Sequence, residues 1–204
     1  MNKVLYLVRH GLTDWNVQKK MQGHSNIPLN DTGKLQAKSL QDFFINNPVE
    51  HIFSSDLDRA YQTIEIATSI LNPTPVIQKL SALREVNLGA VEGTTKEEIL
   101  EKYGAESWEQ WISLDPGANF SYPGGETHQE SLKRSLGVLE YVFTNFNFRT
   151  AAACTHGLLI RRLGHYLRPD MNDLLPIPNC GVFEVRWDNN KPHFKGLIFS
   201  PEDN

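Results

Sequence analysis

Apolar and polar positions alternate along this chain in short, regularly spaced blocks. A run of β-prone residues, Val4-Leu5-Tyr6-Leu7-Val8, leads directly into Arg9-His10-Gly11. Further on, Ala151-Ala152-Ala153-Cys154 leads into Thr155-His156-Gly157. Strand-like patterns occupy residues 4–8, 51–54, 75–78, 150–155, 182–187 and 193–199. Helical periodicity lies between them. Leu57, Ala60, Ile64, Ala67 and Leu71 recur at steps of three and four, with Asp56 placed to cap that helix. Thr127 and Glu130 have capping-box spacing, followed by Leu132, Leu136, Leu139, Phe143 and Phe146 on one face. Such alternation predicts an α/β fold of three layers, α/β/α, around a mainly parallel sheet. The four residues 188–191 join the last two strands like a hairpin, so the sheet is expected to be mixed.

One stretch breaks the rhythm. Residues 89–125 show no strand pattern. They offer a short charged helix at 95–103, a tryptophan-bearing segment at 107–114, and loops at Asp115-Pro116-Gly117 and Tyr122-Pro123-Gly124-Gly125. A long excursion between core elements is commonly a lid or a substrate-binding insertion. The expectation is therefore a single domain over 1–204 with a helical and loop cap at about 89–125.

Two strand–His–Gly junctions change the picture from fold to chemistry. If both strands are parallel members of one sheet, His10 and His156 emerge at its carboxyl edge, where open α/β sheets bind ligands. Arg9 leaves the same strand, and Arg59 opens the helix after the second strand. Two guanidinium forks match the oxygens of a phosphoryl group, and helix N-termini add backbone donors. Neighbouring arginines disfavour imidazolium, which would keep His10 neutral and nucleophilic.

Composition narrows the partners. A net charge of -4 on 204 residues gives no basic surface for nucleic acid or anionic membrane. The first apolar run is too short for a signal peptide or a membrane span. Two cysteines without a CxxC spacing read as reduced thiols of a cytoplasmic protein. No HExxH or cysteine-rich ligand spacing is present, and Arg9 and Arg59 would repel a cation, so neither metal nor cofactor is expected.

Leu7-Val8-Arg9-His10-Gly11-Leu12-Thr13-Asp14-Trp15-Asn16 resembles the opening motif of the histidine phosphatase superfamily, in its phosphoglycerate-mutase-like branch. The resemblance continues through Gln22-Gly23, Pro28-Leu29-Asn30 and the stretch from Ser54 through Arg59 to Thr63. It then takes in Leu83-Arg84-Glu85, Glu92-Gly93, Tyr122 through Glu126, and Thr155-His156-Gly157. These motifs fall in the family's order over nearly the whole chain. The likeness is strongest to the broad-specificity and α-ribazole-type phosphatases.

That resemblance implies a phosphomonoesterase acting through phosphohistidine. His10 is the implied nucleophile, with Arg9, Arg59, Asn16 and His156 around the phosphoryl group. Glu85 is the implied general acid, then base; Glu92 and Glu126 are weaker substitutes. Thr13 is a further candidate donor to phosphate, and Gln22 and Gly23 are candidates for the pocket mouth. His24 and His128 are placed to reach substrate, whereas His51, His165 and His193 read as structural. Ser54 and Ser55 read as capping residues. Trp108, Trp111, Phe120 and Tyr122 read as cap packing, and Arg161 and Arg162 as a solvated or ion-paired helix face.

Two other functions compete. One is a phosphoglycerate mutase; the other is a non-catalytic module that binds phospholigands. The family's mutases carry paired arginines in the insertion and an Asn after the second His-Gly. Here residues 108–122 hold no Lys or Arg, and Leu158 follows Gly157. Both features suit a less acidic substrate and a phosphatase. The expected partner is a small phosphomonoester; a homodimer is compatible with the sequence but not required by it.

Overall fold

A computed structural model of the chain describes residues 3–73, 75–171 and 173–201. The elements are β1 (Lys3–Arg9), α1 (Asp14–Val17), α2 (Asp31–Asn46), β2 (His51–Ser54), α3 (Asp58–Thr68) and β3 (Ile77–Lys79). After two 3-10 turns come α4 (Lys96–Tyr103), α5 (Ala105–Ile112) and α6 (His128–Asn145). The chain continues through β4 (Thr150–Thr155), α7 (Gly157–Leu167), β5 (Val182–Asp188) and β6 (Lys191–Phe199).

The six strands form one sheet in the order β3-β2-β4-β1-β5-β6. The first four are parallel; β5 runs antiparallel to both β1 and β6. The β5–β6 hairpin turns through Asn189 and Asn190, with φ of 50° and 59°. Asn tolerates that left-handed region better than most side chains, and the resulting turn matches the twist of paired strands.

Side chains alternate across the sheet and so divide the core. Leu5, Leu7, Phe53, Ala153 and Phe183 pack beneath α6 and α7, against Leu139, Phe143, Ile160 and Leu163. Val8, Ile52, Ala152, Cys154 and Val182 face α2 and α3, against Leu40, Phe44, Ala60 and Ile64. This is the expected three-layer arrangement with a mixed sheet. A third apolar cluster joins the chain around α4 and α5 to the body: Val86, Leu88, Val91, Ile99 and Tyr122, flanked by Trp108 and Phe120. Both cysteines are buried and free. Among the described residues, no helix is long and apolar enough to cross a membrane.

Three local expectations need correction. The third strand begins at Ile77, not at 75. Helix α3 has Leu57 at its N-cap and no side-chain cap. Asp56 instead takes a two-pronged hydrogen bond from Arg84, at 2.7 Å on each oxygen. Helix α2 is absent from the periodicity reading, although its buried Gly33, Ala37, Leu40 and Phe44 follow a helical stripe. A glycine in the first turn and lysines between the apolar positions hide that stripe from a search for large side chains.

Candidate active site

Strand register brings the two histidines together. β1 and β4 are parallel neighbours with Arg9 opposite Thr155, so His10 and His156 leave adjacent strands at the same carboxyl edge. Their rings lie 5.2 Å apart between centroids. Both are buried, at 3% and 0% exposure. Gly11 lets the chain turn there against the first turn of α2. A Cβ on Gly11 would meet the Gly33 carbonyl oxygen at 2.6 Å, and one on Gly33 would meet that of Leu12 at 2.1 Å. Two glycines thus let backbone touch backbone directly behind His10.

The His10 ring is held by one hydrogen bond, between Nδ1 and its neighbour's carbonyl, Gly11, at 2.7 Å. A carbonyl only accepts, so the proton is assigned to Nδ1 and the lone pair to Nε2. Burial pushes the His10 pKa well below its ordinary 6.5, and the charges of Arg59 and then Arg9 push it the same way. The His156 pKa is also pushed well below 6.5, first by burial and then by Arg59. The His156 Nε2 lies 2.9 Å from the Ser55 hydroxyl, which itself accepts from the Leu57 amide at 3.3 Å.

Arg59 is completely buried at the start of α3. Its two Nη groups donate to the carbonyls of Ser25 (2.8 Å) and Gly23 (2.7 Å). Burial lowers its pKa to about 10, against the raising influence of Glu85. Arg9 donates from Nη1 to the Ile177 carbonyl. Among the described residues, three buried polar side-chain atoms have no partner: Arg9 Nε, Arg59 Nε and His156 Nδ1. Buried polar atoms are nearly always satisfied. All three belong to this cluster, and none of the ion pairs neutralises either arginine.

Glu85 closes the other side. Its Oε2 accepts from the Leu158 amide at 2.9 Å; its Oε1 accepts from Leu159 at 2.9 Å and Val86 at 3.0 Å. The carboxyl group thereby satisfies the open N-terminus of α7, which His156 itself does not cap. Arg84, its chain neighbour, is engaged by Asp56.

A cavity of about 460 Å³ opens above these groups. Arg9, His10, Asn16, Gln22 and Glu85 line it; Arg59 and His156 are fully buried and do not line it, although the His156 ring lies beside that of His10. The Asn16 Oδ1 is turned to the Thr13 amide, 3.2 Å away. Two further candidates do not line the cavity. The Thr13 hydroxyl donates to Gln22 Oε1 at 2.8 Å, and Thr13 caps α1, so local turn bonding claims it. Gly23 holds Arg59 through its carbonyl, and a Cβ there would meet Glu92 Oε1 at 2.2 Å.

Other candidates are similarly engaged. Glu92 accepts from the His24 and Ser25 amides at 2.7 Å each. Glu126 pairs with Arg134 at 2.7 Å. His24 Nε2 lies 2.9 Å from the Glu85 carbonyl, and His128 Nδ1 lies 3.0 Å from that of Ser113. None of the four lines the cavity. Among the described residues, no three His, Cys, Asp or Glu side chains gather so as to hold a metal ion.

The outer cavity holds what sequence reasoning missed. Its walls include Trp108, Trp111, Ile112, Leu114, Leu158 and Leu174. Lys20, Arg161 and Arg162 also line it. Arg162 is only 2% exposed, so the solvated-face reading fails for it. Residues 158, 161 and 162 stand at helical spacings of three and four, which was the available signal.

The chain matches the family described as the histidine phosphatase superfamily (branch 1) over residues 5–199. It is 30% identical over 189 residues to phosphoglycerate mutase-like protein 4 of Arabidopsis thaliana, covering 92% of this chain and 81% of that one. It is 32% identical over 157 residues to the uncharacterized phosphatase PhoE of Bacillus subtilis, covering 77% and 73%. In structure it is similar to Bacillus stearothermophilus YhfR, with a TM-score of 0.83 at 25% identity over 95% and 96% of the two chains. A mycobacterial glucosyl-3-phosphoglycerate phosphatase, solved with VO3, gives a TM-score of 0.77 at 25% identity over 97% and 98%. This chain therefore belongs to branch 1 of the histidine phosphatase superfamily and is an enzyme of the phosphatase type.

Proposed function

We propose that the enzyme hydrolyses a small phosphomonoester through a phosphohistidine formed on His10. The observation that carries this reading is the set of unpartnered buried atoms, Arg9 Nε, Arg59 Nε and His156 Nδ1, beside an imidazole whose Nε2 is free. Burying polar groups without partners is costly, and a phosphoryl oxygen would satisfy each. In the first step Nε2 of neutral His10 bonds to phosphorus while the P–O bond to the alcohol breaks. Glu85 gives the departing oxygen its proton. In the second step water attacks the phosphohistidine, and the Glu85 carboxylate takes the proton that water releases. The P–N bond breaks, and inorganic phosphate leaves with His10 neutral again.

Arg9 and Arg59 neutralise charge on the transferring oxygens, and His156 donates from Nδ1 as that charge builds. The Ser55 hydroxyl supports this role, because a proton donated to His156 Nε2 leaves the ring's own proton on Nδ1. Asn16 adds its NH₂ group, and Gln22 shapes the mouth. Thr13 and Gly23 serve indirectly, through Gln22 and Arg59. The whole chain acts as one unit, with about 89–125 as its cap, and the reaction needs neither metal nor cofactor.

Net hydrolysis is favoured over the mutase reading by the cap side of the cavity. Trp108, Trp111, Ile112 and Leu114 line it there, and no Lys or Arg lies in 108–122. Phosphate release from a panel of phosphomonoesters should exceed interconversion of 2- and 3-phosphoglycerate measured with bisphosphoglycerate present. A mutase rate far above the release rate would overturn the choice. Absence of either activity would favour a binding module.

A further inference from the structure

The cavity is lined by more cationic groups than the phosphoryl site uses: Lys20, Arg161 and Arg162 besides Arg9. Four guanidinium groups, on Arg9, Arg59, Arg161 and Arg162, feel the Glu85 carboxylate. None of the four has a carboxylate partner within salt-bridge distance among the described residues. Glu126, which also acts on Arg162, is already paired with Arg134. Glu92 also acts on Arg59, so two positive charges remain after the two carboxylates, and a phosphoryl dianion removes both. Lys20, which also lines the cavity, adds one more.

Two of these cations sit on one face of α7. Leu158, Arg161 and Arg162 share the face that lines the cavity. Arg161 is anchored through Nε to the Leu175 carbonyl at 3.1 Å, and its two Nη groups have no hydrogen bond or ion pair among the described residues. Arg162 is tied by Nη1 to the Ser131 hydroxyl at 2.8 Å. Burial lowers the pKa of Arg161, and that of Arg162 to about 10, the mark of guanidinium charge held without full compensation. A half-buried cation with a fixed stem and a free fork is suited to a planar or tetrahedral anion. Trp108, Trp111, Leu114 and Leu158 line the same cavity as this fork and His10, an apolar lining suited to an apolar spacer.

We propose that Arg161, assisted by Arg162 and Lys20, forms a second anion subsite that selects phosphomonoesters whose alcohol carries a further anionic group on a partly apolar body. This corrects the expectation of a less acidic substrate, which followed from the cap and overlooked the helix after His156. It rests on the hydrolase reading only for the leaving alcohol; the binding geometry is independent of turnover.

The probes are 4-phosphonobenzoate and phenylphosphonate, neither of which can be hydrolysed. Binding is followed by the fluorescence of Trp108 and Trp111, with the full-length enzyme. The carboxylated probe should bind roughly tenfold or more tightly, as one charge-assisted fork implies. In Arg161→Gln that advantage should shrink to about twofold or less, and Arg161→Lys should restore part of it. Turnover of 4-carboxyphenyl phosphate against phenyl phosphate should show the same ratio in kcat/KM. Equal binding of the two phosphonates by the unaltered enzyme would overturn the subsite, whatever the variants do. So would an advantage that survives in Arg161→Gln. A clear binding preference without phosphate release from either ester would leave the subsite standing and sink the hydrolase reading instead.

Discussion

At the residue scale, the proposed chemistry depends on where two protons sit. His10 keeps its proton on Nδ1 by donating to Gly11, and Ser55 is placed to keep that of His156 on Nδ1. Ser55→Ala should therefore lower kcat by about ten- to a hundredfold, the range for weakening one oxyanion donor, while KM moves little. A comparable rise in KM with kcat unchanged would show that Ser55 serves substrate binding. Glu85→Gln tests the acid. The amide oxygen can keep the Leu159 and Val86 bonds while its NH₂ group meets the Leu158 amide, so a melting curve accompanies the assay, and the transferable proton is gone. Losses should be much larger on alkyl phosphates than on p-nitrophenyl phosphate, whose leaving group needs little protonation. Equal losses on both would leave Glu85 as a helix cap only. Sequence motifs brought Arg9, His10 and His156 forward because each stands at a strand end beside or near a glycine, whereas Glu85, in a loop, was read only from the family's order of motifs. The roles of Thr13 and Gly23 were not legible, because a turn hydroxyl and a carbonyl can serve a neighbour as readily as a ligand.

At the element scale, the junction of α2 with the loop after His10 decides how rigid the nucleophile is. Gly→Ala in a helix ordinarily stabilises by roughly 0.5–1 kcal/mol. At Gly33 the added Cβ would fall 2.1 Å from the Leu12 carbonyl oxygen, which no relaxation of α2 alone can relieve. Gly33→Ala should reverse the usual sign and lower the melting temperature, and it should reduce kcat as well. A more stable variant with full activity would refute the contact. The same glycine explains why α2 escaped the sequence pattern: its stripe begins on a residue with no side chain. Strands β1, β4, β5 and β6 were legible because both faces are buried or alternate cleanly. The short β3 was displaced by two residues, since the sheet edge places little demand on its composition.

At the scale of the whole molecule, burying two neutral histidines couples stability to pH. Both have pKa values pushed well below 6.5, whereas the unfolded chain binds a proton at each near that value. The unfolded state therefore takes up more protons, and stability present above pH 6.5 is lost as pH falls through the window beneath it. The slope approaches about 1.4 kcal/mol per pH unit for each site. Urea midpoints should fall between pH 7 and 5.5, and the fall should be smaller in His10→Gln. An identical slope in that variant would mean that His10 is charged or exposed. The overall architecture was legible from the alternation of patterns, since each strand and helix must bury one face. The outer cavity was not, because Arg161 and Arg162 acquire meaning only when α7 turns them toward the tryptophans of α5.

The proposed reaction depends on a covalent bond between His10 and phosphorus. The direct test mixes enzyme with a labelled phosphomonoester, quenches in base within milliseconds, and maps the label by peptide analysis. The expected result is an acid-labile, base-stable phosphate on the peptide containing His10, formed and consumed at rates that match turnover, and lost in His10→Ala together with orders of magnitude of activity. Label on any other residue, or steady turnover with no labelled peptide and full activity in His10→Ala, would contradict the account.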